Sequence, residues 1–129
     1  MKIVLANGCF DPFHYGHLLH LLAASELGTR LVVSVTKDDF VNKGRGRPVF
    51  GQEQRAAMVK SLRCVDEVIL VSDALDALMR VKPDVFVKGQ DYKDKIDPEH
   101  SRYCQANKIQ IRFTTTKSWS STALLHYYA

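Results

Sequence analysis

The chain has 129 residues, 46% hydrophobic and 25% charged, with a formal net charge of +4. That length suits one domain around one core, and the absence of any apolar run of about 18 residues or of a charged-then-apolar leader leads us to expect a cytoplasmic protein with no membrane contact. Cys9, Cys64 and Cys104 are odd in number and lack a Cys-x-x-Cys spacing. Reduced thiols are therefore expected, rather than a disulfide framework or a structural zinc site.

Taken in chain order, Lys2 to Ala6 reads as a short apolar strand, and a helix starts near His17 with Leu18, Leu21 and Leu22 on one face. Gly28 leads into a second strand, Arg30 to Val35, rich in β-branched residues. A glycine-rich loop follows, and Gln52 to Leu62 forms a helix with Ala56, Val59 and Leu62 inward. Glu67 to Val71 is a third strand. Asp73, with Asp76 three residues on, caps a helix whose buried stripe is Leu75, Leu78 and Met79, stopped by Pro83. Val85 to Lys88 is a fourth strand, ending in the turn Gly89-Gln90-Asp91-Tyr92. Asp97-Pro98 starts a helix that runs to about Asn107, Ile109 to Phe113 is a fifth strand, and Ser120 to Tyr128 is a last helix.

Apolar strands alternating with helices predict an α/β fold: a single domain over 1–129, with a Rossmann-like five-stranded parallel sheet covered by helices on both faces. Ligands in such sheets bind beyond the carboxyl ends of the strands, where strand order reverses. The loops after strands one, two, four and five should converge there.

Those loops carry the informative residues. Asn7-Gly8-Cys9-Phe10-Asp11-Pro12-Phe13-His14-Tyr15-Gly16-His17 joins a strand to a helix through glycines that let an anion approach the main chain, beside a positive helix end. One histidine at a helix start is commonly a cap. Two histidines three residues apart can face a single anion. In the second loop, between Lys37 and Gly51, four basic residues (Lys37, Lys43, Arg45, Arg47) meet only Asp38 and Asp39. Without interleaved aromatics the loop suits phosphate better than nucleic acid, and no nucleic-acid partner is expected. Its bland reading is a mobile surface loop. Arg55, on the next helix, reads as an ion-pair partner of Glu53 or a nearby aspartate. Trp119-Ser120-Ser121-Thr122 puts three hydroxyls at a helix start, more than an N-cap needs.

The first segment matches G-x-F-D-x-x-H-x-G-H at Gly8, Phe10, Asp11, His14, Gly16 and His17. The chain thus resembles the cytidylyltransferase-like nucleotidyltransferases, and the resemblance extends over nearly its whole length. It implies nucleotidyl transfer: a substrate phosphate oxygen attacks the α-phosphorus of a nucleoside triphosphate and pyrophosphate leaves, with no enzyme nucleophile. His14 and His17 would donate to the α and β phosphates, Lys43 would reach the phosphates from its loop, and Cys9 would act through its backbone. Ser120, Ser121 and Thr122 would bind the β and γ phosphates. Trp119 departs from the small apolar residue usual there, Thr115 stands where one branch has an arginine, and Lys117 is the replacement cation.

The turn Lys88-Gly89-Gln90-Asp91-Tyr92 resembles the heptose-1-phosphate adenylyltransferase branch, with Gly89, Asp91 and Tyr92 at the base or ribose. This makes ATP and a sugar 1-phosphate the expected pair. Arg63, in Arg-x-Val-Asp-Glu-Val, resembles instead the glycerol-3-phosphate cytidylyltransferases, so CTP with a polyol phosphate is the alternative. A non-catalytic nucleotide-binding module is the alternative of another class. The triphosphate implies magnesium, with Asp11 the nearest candidate for indirect contact and no metal-ligating cluster in the sequence. The family also implies a homodimer, and from the length no fused sugar kinase is expected.

Overall fold

The computed structural model describes residues 1–90 and 93–114. Five strands, β1 (Ile3–Gly8), β2 (Arg30–Thr36), β3 (Glu67–Val71), β4 (Val85–Gly89) and β5 (Gln110–Thr114), form one parallel sheet in the order β3-β2-β1-β4-β5. The Rossmann-like expectation is met. The chain builds outward from β1 through β2 to β3, then crosses back to add β4 and β5 on the other side. Strand order therefore reverses between β1 and β4, which puts a crevice at their carboxyl ends.

Successive strand residues point to opposite faces, so each apolar strand feeds two cores. Val4, Ala6, Val33, Val35, Val85 and Val87 pack with Leu21, Ala24 and Val59 of α1 (Tyr15–Ser25) and α2 (Gln52–Lys60). On the other face Leu5, Val32, Val71 and Phe86 meet Ala77 and Leu78 of α3 (Ala74–Val81) and Cys104 of α4 (Pro98–Ala106). The Asp73 carboxylate accepts from Asp76 N at 2.8 Å, as the sequence led one to expect for the start of α3. Gly28 is needed for a close approach: a Cβ there would lie 2.6 Å from Lys2 O, where the turn before β2 crosses the start of β1.

Several boundaries and faces differ from expectation. β1 runs on to Gly8, because Asn7 and Gly8 pair with Ser34 and Val35, and α1 starts at Tyr15, two residues before His17. α2 ends at Lys60 rather than Leu62. Leu22 and Met79, assigned inward, are 44% and 52% exposed, since Ala24, Ala74 and Ala77 take the buried positions beside Leu21 and Leu78. The predicted helix Ser120 to Tyr128 lies outside the described residues.

Candidate active site

The turn after β1 is organised by its own side chains. Phe10 adopts φ 52° and folds its ring back over Gly8, where a Cβ would meet ring carbons at 3.0 Å. Gly8 thus makes room for an aromatic ring, which corrects the idea that it is bare for a phosphate. That ring stands edge-on to the His17 imidazole, with centroids 5.0 Å apart. His14 is the N-cap of α1: its Nδ1 accepts from Gly16 N at 3.1 Å, and His17 Nδ1 accepts in return from His14 N at 3.2 Å. The Gly16 N–H is therefore spent on the cap rather than offered to a ligand.

The capping and anion-binding readings of the two histidines are thus compatible. With each Nδ1 accepting from a backbone N–H, the neutral imidazole carries its proton on Nε2. The rings stack with centroids 3.8 Å apart, so the two Nε2 donors are held side by side. Burial pushes the His17 pKa down to about 3, helped by His14, His20 and Lys43. At neutral pH it is an uncharged donor.

The loop after β2 is pinned at both ends. Arg55 is fully buried and donates to Phe50 O (2.9 Å), Cys9 O (2.8 Å), Thr36 O (2.7 Å) and the Asp38 carboxylate (2.7 Å). Its ion-pair partner is Asp38, and the Cys9 carbonyl is taken up by this arginine. Asp11, also fully buried, binds Arg47 Nε at 2.8 Å and accepts from Val49 N (2.7 Å) and Phe50 N (3.1 Å), while Arg47 Nη2 donates to Asp11 O. Burial raises the Asp11 pKa, but the Arg47 bond and the two N–H donors outweigh it and leave it lowered. Between these anchors, residues 42 to 46 are exposed, with Gly44 at φ 101° and Gly46 at φ 79°. Lys43 sits on that tip.

Asp11 is thereby assigned to holding the loop. Among the described residues no group of three or more His, Cys, Asp or Glu could hold a metal ion, and the Asp11 carboxylate is already committed. The described residues do not fit a protein-held magnesium.

Across the crevice, two groups emerge that sequence reasoning left out of the site. His20, one turn beyond His17, has its Nδ1 2.8 Å from Thr114 Oγ1 at the end of β5. Lys88 lies half-buried at the end of β4, with Gly89 next to it and paired with Thr114. A histidine at helical spacing from the signature pair was the available signal for His20. Arg63 is not brought to this crevice within the chain: it is exposed, between α2 and the amino-terminal start of β3. Asp91, Tyr92, Thr115, Lys117, Trp119, Ser120, Ser121 and Thr122 lie outside the described residues.

A parallel sheet with its reversal at β1 and β4, and a proton-bearing histidine pair on the first helix, define the nucleotide-binding architecture of a transferase. The cytidylyltransferase-like family model matches residues 5–125, and the chain belongs to that family of nucleotidyltransferases. It is 44% identical over 98 residues to the bifunctional protein HldE of Campylobacter concisus (strain 13826), covering 73% of this chain and 21% of that protein. It is 41% identical over 121 residues to the bifunctional protein HldE of Helicobacter pylori (strain HPAG1), covering 89% and 26%. The chain therefore spans about a fifth to a quarter of these relatives. The lipopolysaccharide core biosynthesis protein from Thermoplasma volcanium GSS1 superposes with a TM-score of 0.75 at 31% identity, over 92% of this chain and 99% of that one. Among the described residues no helix is long and apolar enough to cross a membrane.

Proposed function

We propose that this domain transfers a nucleotidyl group from ATP to a sugar 1-phosphate of heptose type, giving an ADP-sugar and pyrophosphate. The observation that carries it is the histidine pair, with both Nδ1 atoms locked by backbone donors so that both Nε2 protons are aimed as a unit. An acceptor phosphate oxygen forms a new bond to the α-phosphorus. The bond from that phosphorus to its bridging oxygen breaks, and the electron pair leaves on pyrophosphate. The acceptor is already an anion, so no base is needed, and catalysis reduces to positioning and charge stabilisation. His14 and His17 donate where charge builds, without the cost of reorienting water. Lys43 brings a mobile point charge to the leaving oxygens, and Ser120, Ser121 and Thr122 hold the departing pyrophosphate. Magnesium enters as part of the nucleotide.

The adenylyl and heptose assignment is supported by the relatives at 40–44% identity and by the Lys88 to Tyr92 turn. Arg63, the feature favouring CTP and glycerol 3-phosphate, is exposed before the amino-terminal end of β3, away from the carboxyl-end crevice, which weighs against that reading within one chain. A homodimer is proposed from the resemblance, and a cytoplasmic location from the sequence pattern alone. The test is pyrophosphate release with ATP or CTP against sugar 1-phosphates and glycerol 3-phosphate. Release with ATP and a sugar 1-phosphate is expected. Tight nucleotide binding with no release for any acceptor would leave a non-catalytic module instead.

A further inference from the structure

Two polar side chains stand near the centre of the sheet, among apolar strand residues. Asn7 is on β1, the strand at which the order reverses, and Ser34 is its register partner on β2. Each lies two residues beyond an apolar residue of the α3 and α4 core, Leu5 and Val32, so both face that side of the sheet. Helix α1, with the histidine pair at its start, packs on the other. Ser34 is fully buried, and its Oγ donates to Asn7 Oδ1 at 2.6 Å. That length suits O–H···O rather than N–H···O, which fixes the way round of the carboxamide. With Oδ1 turned to β2, Nδ2 is turned away from it, the side on which β4 and the crevice lie. Its two N–H donors have no hydrogen-bond partner among the described residues. Asn7 itself is half-buried, at the carboxyl end of its strand.

A hydroxyl buried in an apolar core costs stability unless it is bonded, and an apolar pair of the same shape would pack there at no such cost. What the pair supplies is a neutral donor held in one orientation at the reversal of the sheet, where ligands of such folds bind. The phosphates of both substrates are matched by the histidine pair and by Lys43. In-line attack places the acceptor phosphate opposite the leaving pyrophosphate, so the sugar it carries extends beyond the reacting atoms. A carboxamide N–H can bond a hydroxyl oxygen of that sugar without adding charge beside the phosphates. Resting on the nucleotidyl-transfer reading, we infer that Asn7 Nδ2 donates to a hydroxyl of the acceptor sugar, with Ser34 as the positioning residue that holds the carboxamide.

The test uses the full chain with Asn7→Leu, Ser34→Ala and the two together, after melting confirms that they fold. The double variant removes both polar partners and should be at least as stable as either single one. Equilibrium titration reads the affinity for heptose 1-phosphate and for ATP without turnover, and pyrophosphate release reads acceptor KM and kcat. Inorganic phosphate, competing with the acceptor, is the control for the phosphate alone. Asn7→Leu should weaken heptose 1-phosphate by roughly five- to fiftyfold, the loss of one hydrogen bond with its partner left unpaired. ATP affinity and the phosphate inhibition constant should stay within about twofold. Ser34→Ala should show a smaller loss that vanishes in the Asn7→Leu background, because it acts through the carboxamide. Weakened ATP binding with unchanged heptose 1-phosphate binding, or an equal loss for inorganic phosphate, would overturn the sugar-hydroxyl assignment. A Ser34→Ala loss that persists beside Asn7→Leu would overturn the positioning role. Turnover with an acceptor KM indifferent to Asn7 would sink this inference alone, whereas acceptor binding that depends on Asn7 with no pyrophosphate release would sink the transfer reading alone.

Discussion

The loop after β2 is rigid at its base and open at its tip. At the base, Arg55 and Asp11 are both fully buried and between them satisfy the carbonyls of Cys9, Thr36 and Phe50 and the amides of Val49 and Phe50. At the tip, residues 42 to 46 are exposed, and a Cβ added at Gly44 or Gly46 would find nothing within 4 Å. The base is also wired to the turn that carries the histidines, since Asp11 and Cys9 belong to that turn. The fixed donors and the anchors of the loop that carries Lys43 are thus one assembly. Under the proposed function the histidine pair sets where the phosphate goes, and Lys43 arrives once it is there.

The division can be broken first at the base. Arg55→Met removes the donor shared by three carbonyls and Asp38; Asp38 is 40% exposed and can be solvated, but each carbonyl left buried without a donor costs about 1 to 3 kcal/mol. Urea unfolding measures it. A loss within about 0.5 kcal/mol, as for an ordinary surface substitution, would mean that the base is not rigid. The second largest effect is on turnover. His17→Ala should reduce kcat by more than about a hundredfold, the loss typical of one preorganised donor. Lys43→Ala should also lower kcat but leave ATP affinity nearly unchanged, the result the proposed closing of the tip over bound nucleotide requires. Equal losses in affinity and turnover for Lys43→Ala would place the lysine in the ground-state complex and end the contrast.

A pH series sharpens the same contrast through the fixed donors. His17 and His20 are held near 3 and near 4, against an ordinary value of 6.5. Below pH 6.5 the unfolded chain takes up protons that the folded chain refuses, so stability is complete above 6.5 and falls as pH drops toward 4. The melting temperature should fall by several degrees between pH 7.5 and pH 5, and less in a His17→Asn, His20→Asn variant. An equal fall in that variant would mean that the imidazoles are not held neutral.

Much of this was legible in the chain. Strand-helix alternation and unbroken apolar strands gave the parallel sheet, and the strand-turn-helix context of His14 and His17 singled out the pair that caps α1. The errors have a common cause. Gly8 reads as a phosphate approach until the Phe10 ring is seen to occupy its space, and Asp11 reads as a metal neighbour until Arg47, thirty-six residues away, is found against it. Both depend on partners that periodicity does not reveal. Leu22 and Met79 were misplaced because alanines can line a buried face when the sheet is close, which apolar counting undervalues.

The smallest expected effect lies at the tip, where two kinds of glycine can be told apart. Gly28 is fixed by space, with Lys2 O 2.6 Å from where a Cβ would stand. Gly46 is fixed only by its backbone, at φ 79° with open surroundings. Alanine in the left-handed region costs about 1 to 2 kcal/mol, but an exposed tip can relax to another conformation and recover most of it. Gly46→Ala should therefore shift unfolding by less than about 1 kcal/mol. Its effect should appear where the tip has to reach a particular place, as a severalfold fall in kcat with ATP affinity unchanged. If Gly46→Ala instead destabilises the protein as much as Gly28→Ala, the tip is part of the rigid base, and Lys43 is positioned before the nucleotide arrives.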